Sequence, residues 1–364
     1  LSDTAGIPGI AGARYWADEP PPETDDWFKL TKEQLKTQYP AAYGQPHNYL
    51  AISGGGQRGA FGAGLLCGWT VTGKRPQFTI VTGVSTGALI APFAFRGPQF
   101  DPVIKEIYTS YSTRDLVEKR SLLKSLLGDA AADTSPLQEK IAKYVNEDVM
   151  AAIAAEYAKG RVLDLVTTNL DAARPVAWNI GRIASNGTPE ALQLIRDIML
   201  ASASIPAAFP PVMFDVEANG QLYDDLHVDG GATSVMHLYP IGLDWGRLIE
   251  QLEVKGKPNV YILRNGRWRK QWSSVDRSTI PVAIRTIDSL MGSAVLGDSY
   301  RIYLATQRDG IQYNLAYIPE SFNEEASESF DKEYMTKLFN LGYQMAIDGY
   351  QWNAVPPGYD TGDQ

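Results

Sequence analysis

The sequence is poor in several residues on which structural and catalytic chemistry commonly relies. A single cysteine, Cys67, excludes an internal disulfide and a thiolate metal cluster. It lies in an apolar helical run and reads as a buried structural thiol. Histidine occurs only three times, at His47, His227 and His237, so a histidine base has few places to come from. Positive charge is also scarce: 33 Lys and Arg against 42 Asp and Glu give a formal net charge of −9. With no Lys/Arg-rich run, that balance argues against a nucleic-acid surface and against broad attraction to anionic lipid. No apolar stretch is long enough to span a bilayer, and no internal repeat or low-complexity block appears.

The rest of the composition is that of an ordinary globular protein. Apolar residues make up 44% and charged residues 21% of 364, enough for a substantial core in one large domain or two smaller ones. The chain begins at Leu1 rather than methionine, which favours removal of an export signal and an exported or cell-envelope location over a cytoplasmic one. Asn186-Gly187-Thr188 is a glycosylation sequon, meaningful in a secreted eukaryotic protein.

Residues 1–46 read as an irregular N-terminal arm rich in Gly and Pro. Trp16, Trp27 and Phe28 are expected to pack it on the body, and Thr31 with Gln34 forms a capping box for a short helix. From residue 47, strand and helix signals alternate, which predicts a mainly parallel sheet covered by helices. Strands are expected at Tyr49–Ile52, Phe78–Val81, Arg161–Thr167 and Asn259–Leu263. Helices are expected at Gly59–Trp69, Ala88–Phe95, Glu190–Leu200 after Thr188 and Pro189, and Asp331–Gly349. No composition break forces a second domain. Residues 47–240 are taken as the core, and 241–364 as its C-terminal continuation of strand and helices.

Two glycine-punctuated turns stand out. Gly54, Gly56 and Gly59 in Ser53-Gly54-Gly55-Gly56-Gln57-Arg58-Gly59 satisfy a dinucleotide-loop spacing between a strand and a helix. The acid that should end the next strand and hold a ribose is missing, and no Gly-Lys-Ser/Thr follows. A nucleotide role is thereby the weakest of three readings, behind a structural turn and an anion site, the last because successive glycines let backbone amides approach a negative charge. Arg58 either steadies the loop, adds positive field, or is a surface arginine. The second turn, Gly83-Val84-Ser85-Thr86-Gly87, sets a serine between glycines where a strand bends sharply into a helix. A triad would require a histidine, but none follows His237 and His47 precedes the first strand. Asp229, followed by Gly230 and Gly231, is an acid at a tight turn. It is either a turn acid binding its own backbone or, if buried beside Ser85, a proton acceptor.

Taken in order, Gly54-Gly55-Gly56-Gln57-Arg58-Gly59, Gly83-Val84-Ser85-Thr86-Gly87 and Asp229-Gly230-Gly231 resemble the patatin-like phospholipase family. Ala201-Ser202-Ala203-Ser204-Ile205-Pro206-Ala207-Ala208-Phe209-Pro210-Pro211, Thr168-Asn169-Leu170-Asp171 and Arg174-Pro175-Val176 are similar to it too, so the likeness spans about residues 48–235. The resemblance implies a three-layer α/β/α fold with a mainly parallel central sheet. It also implies a dyad of Ser85 and Asp229 without histidine or metal, and no cofactor. The amides of Gly54, Gly55 and Gly56 would form the oxyanion hole, with Arg58 nearby. Gly59, Gly83, Gly87, Gly230 and Gly231 are the motif glycines. The implied activity is hydrolysis of lipid acyl esters, with transient contact with a membrane or micelle. An acyltransferase with the same dyad and a non-catalytic lipid- or nucleotide-binding protein are the alternatives. Leu122, Leu123, Leu126 and Leu127, and the stretch Pro206 to Val212, are candidates for a lid or an apolar lip.

Overall fold

The computed structural model describes all residues except 1–4, 117, 120–131, 270, 271, 273 and 360–364. The leucines at 122, 123, 126 and 127 therefore lie outside the described residues. Nine strands form one sheet: β1 (Arg14–Trp16), β2 (Asn48–Ile52), β3 (Ile80–Val84), β4 (Val162–Asn169), β5 (Arg174–Asn179), β6 (Val212–Ala218), β7 (Gln221–Asp229), β8 (Asn259–Arg267) and β9 (Gln312–Ile318). Six helices matter most for the site: α1 (Gly59–Val71), α2 (Thr86–Arg96), α3 (Asp101–Thr109), α4 (Pro189–Ser202), α5 (Thr279–Arg308) and α6 (Lys332–Ile347).

Five strands in the order β9-β8-β2-β3-β4 are parallel. They are apolar and enclosed, as expected where helices cover both faces, giving a three-layer α/β/α fold. Past β4 the sheet becomes antiparallel: β5 pairs with β4, and β1 from the N-terminal arm pairs with β5. The hairpin β6–β7 joins through the last residues of β7, where Asp229 lies opposite Thr167 and Val228 opposite Thr168. From β2 the chain winds outward to β3 and β4 and then returns to β8 on the other side. The carboxyl end of β2 is therefore the point where the winding reverses, the usual place for a ligand crevice in such sheets.

The glycine- and alanine-rich α1 packs directly on α6. A Cβ on Gly64 would lie 2.0 Å from the Phe339 carbonyl oxygen, and one on Gly68 would lie 2.3 Å from that of Tyr343. Only glycine allows that approach. Cys67 is buried in α1, and burial pushes its thiol up to about 12, so it stays protonated and inert.

Most expected elements occur with shifted ends. The expected strand Phe78–Val81 runs over Ile80–Val84 instead, because β2 and β4 hold Gly83 extended from both sides and β4 holds Val84. The helix after Ser85 starts at Thr86, not Ala88. Thr31 forms the capping box with Gln34, and Thr188 caps α4 by accepting from the Ala191 amide. The arm contributes an edge strand, and Trp16 and Phe28 stack against Arg174 and Arg247 with the guanidinium carbons 4.4 and 4.0 Å from the rings. The β6–β7 hairpin and the 30-residue α5 had no expected counterpart. Among the described residues, no helix is long and apolar enough to cross a membrane.

Candidate active site

Ser85 follows β3 directly and occupies the turn into α2 with φ 56° and ψ −124°. A non-glycine residue held there costs about 1–3 kcal/mol, which the surrounding structure must supply. Three contacts impose the bend. The Ser85 amide donates to Ser202 Oγ at 2.9 Å, Ser202 Oγ donates to the Val166 carbonyl at 2.6 Å, and the Ala88 amide donates to the Ser85 carbonyl at 2.8 Å. Gly87 lies so close to β2 that a Cβ there would meet the Ile52 carbonyl oxygen at 2.2 Å. The motif glycines Gly59, Gly83, Gly87, Gly230 and Gly231 are all buried.

Asp229 ends β7 and is fully buried. Gly230 brings it in: a Cβ there would lie 2.4 Å from the Val166 carbonyl oxygen and 2.9 Å from Val84 Cγ1, at the end of the strand that carries Ser85. Asp229 Oδ1 accepts from the Gly231 amide at 2.7 Å, while Oδ2 is buried without a hydrogen-bond partner among the described residues. Burial pushes the carboxyl up to about 7, opposed by the Ser85 hydroxyl and the Gly231 amide, which favour its ionised form. A carboxyl poised near neutrality beside a serine hydroxyl can exchange a proton with it, whereas an exposed carboxylate would be too weak a base.

The glycine loop leaves β2 beside the serine. A Cβ on Gly54 would lie 3.1 Å from Ser85 Cβ and 3.7 Å from Oγ. Three free glycine amides were expected, but the Gly54 amide donates to the Val235 carbonyl at 3.2 Å. Gly55 and Gly56 donate to no acceptor among the described residues. Arg58 Nε donates to the Gly55 carbonyl at 3.3 Å and the guanidinium lies 4.0 Å from Asp288, so this arginine braces the loop. Gln57 Oε1 accepts from the Asp331 amide at 2.9 Å, which ties the loop to the start of α6.

Two supporting residues had no sequence signal. Asn265 on β8 donates from Nδ2 to the Ser53 carbonyl at 2.9 Å and accepts at Oδ1 from the Gly62 amide at 3.1 Å. It thereby clamps both ends of the glycine loop. Asp298 on α5 accepts from the amides of Val235 and Met236 at 2.8 and 3.0 Å. It thus fixes the segment that holds Gly54. Neither sits in a recognisable motif; each acts through a contact made across a long stretch of chain.

The histidines are committed elsewhere. His47 bridges the Tyr49 hydroxyl and the Ala42 carbonyl at 2.8 and 2.9 Å, and His227 Nδ1 meets Thr167 Oγ1 at 2.8 Å. His237 is enclosed beside Arg301, and burial drops it to about 3. None hydrogen-bonds Ser85 or Asp229.

Ser85 and Gly56 open onto a cleft with apolar walls that include Leu89, Phe93, Ile141, Met199, Phe209 and Met335. Of the stretch Pro206 to Val212, Phe209 lines the cleft.

Comparison with known proteins returns one family: residues 50–240, just over half of the chain, match the model of the patatin-like phospholipase family. No curated protein sequence matches. Among solved structures, the crystal structure of VipD from Legionella pneumophila is similar at 13% identity, with 85% of this chain and 68% of that one covered and a TM-score of 0.38.

Proposed function

The chain belongs to the patatin-like phospholipase family, and we propose that it cleaves lipid acyl esters with Ser85 as nucleophile and Asp229 as the proton-transfer group. The observation that carries the reading is the meeting of three features at one point. A strained serine and the unengaged Gly56 amide line an apolar cleft, and the Gly55 amide and a buried carboxyl acting on the Ser85 hydroxyl stand behind them.

In the proposed reaction Ser85 Oγ attacks the ester carbonyl carbon as its proton passes to Asp229. The carbonyl oxygen takes up negative charge within reach of the Gly55 and Gly56 amides. Collapse breaks the bond to the leaving alkoxide, which takes the proton from Asp229 and departs as an alcohol. Water then attacks the acyl-serine ester, giving its proton to Asp229. On the second collapse the carboxylic acid leaves and the proton returns to Ser85 Oγ. The acyl chain lies in the cleft between Leu89 and Met199, and Arg58 acts through the loop rather than on the substrate.

The reading has a distinctive pH signature. The base must be ionised, and burial holds Asp229 near 7. For a short-chain p-nitrophenyl ester, kcat/KM is expected to fall about tenfold for each pH unit below 7 and to level off above it. A profile flat between pH 5 and 8 with a titratable leaving group excluded would remove Asp229 from the role.

A further inference from the structure

We propose that the segment from Arg267 through the first turns of α5 is a membrane-docking surface that seats the enzyme on anionic lipid with its cleft facing the bilayer. The proposal rests on the lipid-hydrolase reading of the adjacent site and names the physical form in which that substrate is met.

Three observations carry it. First, apolar side chains are bare here. Trp272 is 89% exposed, Leu290 66% and Val282 48%, with Val275 and Ile284 also exposed. Val282, Thr286 and Leu290 follow at four-residue steps, so they line one outer face of α5, and Thr286 is exposed as well. A tryptophan that buries almost nothing gains free energy from the headgroup region of a bilayer, where its ring and N–H are both satisfied.

Second, charge reverses locally. The described residues of 267–287 carry four basic side chains (Arg267, Arg269, Arg277 and Arg285) and one acid, Asp276, in a chain of net charge −9. The acidic neighbours are Glu320, which accepts from the Arg269 amide at 3.0 Å, and Asp288, which pairs with Arg285 at 3.3 Å. Arg269 and Arg277 are exposed. Whole-chain charge repels anionic lipid weakly and at long range, but screening confines the interaction to the nearest patch, and this patch is basic.

Third, the surface is continuous with the site. Asp288 is the residue that Arg58 of the glycine loop approaches at 4.0 Å, and Met291 Cε lies 2.3 Å from where a Gly231 Cβ would be, two residues after Asp229. The first turns of α5 therefore stand beside the glycine loop and the Asp229 turn, so docking them would bring lipid near Ser85 rather than to a remote face.

The test uses the full chain with Ser85→Ala, which leaves vesicles intact, sedimented with phosphatidylcholine vesicles and with vesicles containing about one-third phosphatidylglycerol. Binding is expected to the anionic vesicles, to weaken with salt, and to fall at least about fivefold on adding Trp272→Ala or Arg269→Gln with Arg277→Gln. In the Ser85 background, Trp272→Ala should hydrolyse a soluble short-chain ester at the parental rate, which shows that the site is intact. Parental binding by the Trp272→Ala chain, or no binding to anionic vesicles at all, would overturn the proposal. If vesicle binding fails while ester hydrolysis still depends on Ser85, docking alone is wrong. If binding holds but hydrolysis ignores Ser85, the reading of the active site is wrong instead.

Discussion

Asp229→Asn is expected to lower kcat/KM for a short-chain ester by about 10²–10⁴-fold, the usual worth of a positioned proton-transfer group, and to raise the melting temperature at pH 8. The two effects share one cause. Asp229 is wholly enclosed, and burial pushes its carboxyl up to about 7. A folded-state value above the unfolded one means that the folded chain binds more protons between about pH 4 and 7. Wild-type stability therefore falls as pH rises through that window, and the loss is complete above it. The shift corresponds to on the order of 4 kcal/mol at most. Asparagine keeps the Oδ1 acceptor for the Gly231 amide, 2.7 Å away in the wild type, and never has to be ionised. Asp164, another buried carboxyl raised to about 7, titrates with the same sign. The measurement is therefore the difference in melting temperature between variant and wild type at pH 8, compared with the same difference at pH 4. The gain should be present at pH 8 and vanish at pH 4. A variant less stable than wild type at pH 8 would mean that the carboxylate is held by interactions stronger than its burial.

Gly55→Ala should be nearly as damaging to activity, for a steric reason. A Cβ at this position would lie 2.1 Å from the Asn265 carbonyl oxygen and 2.8 Å from the Asn265 Cβ, both parts of the packed strand β8. Neither can withdraw, so the glycine loop must move. Overpacking of this kind costs about 1–3 kcal/mol. A displaced loop also carries its amides away from Ser85, and loss of one oxyanion donor is worth about 10²–10³-fold in kcat. Gly56→Ala is the contrast. Its Cβ would enter open space, so only the left-handed backbone at φ 57° opposes it, at about 1 kcal/mol. The expected order of kcat and melting-temperature losses is Gly55→Ala well beyond Gly56→Ala. The reverse order would mean that the loop is not braced by β8.

The candidate site was more legible in the sequence than the support beneath it. Ser85 and Asp229 were visible because each is flanked by glycines whose only physical use is to allow a close approach, and because an apolar strand precedes the serine. The caps at Thr31 and Thr188 were visible because a cap is decided within four residues. Val84 was misread as part of a turn, since Thr82-Gly83 has turn chemistry and only the neighbouring strands hold it extended. Helix α5 escaped because Pro281, Gly292 and Gly297 interrupt it and Ser278 provides no side-chain cap, so its integrity comes from packing. Asn265 and Asp298 escaped for a related reason. An asparagine and an aspartate without local pattern become necessary only once the fold sets them against Ser53, Gly62, Val235 and Met236. The same blindness covered Gly54, whose amide is taken by a carbonyl 181 positions away, at Val235.

Treatment with a fluorophosphonate ester, followed by mass mapping of the modified peptide, tests the central claim most directly. An activated serine attacks phosphorus and keeps the adduct, whereas an ordinary buried serine does not react. The account predicts one adduct per chain on the peptide carrying Ser85, formed far more slowly in Asp229→Asn. An unmodified chain, or an adduct that forms on another serine and persists in Ser85→Ala, would contradict it.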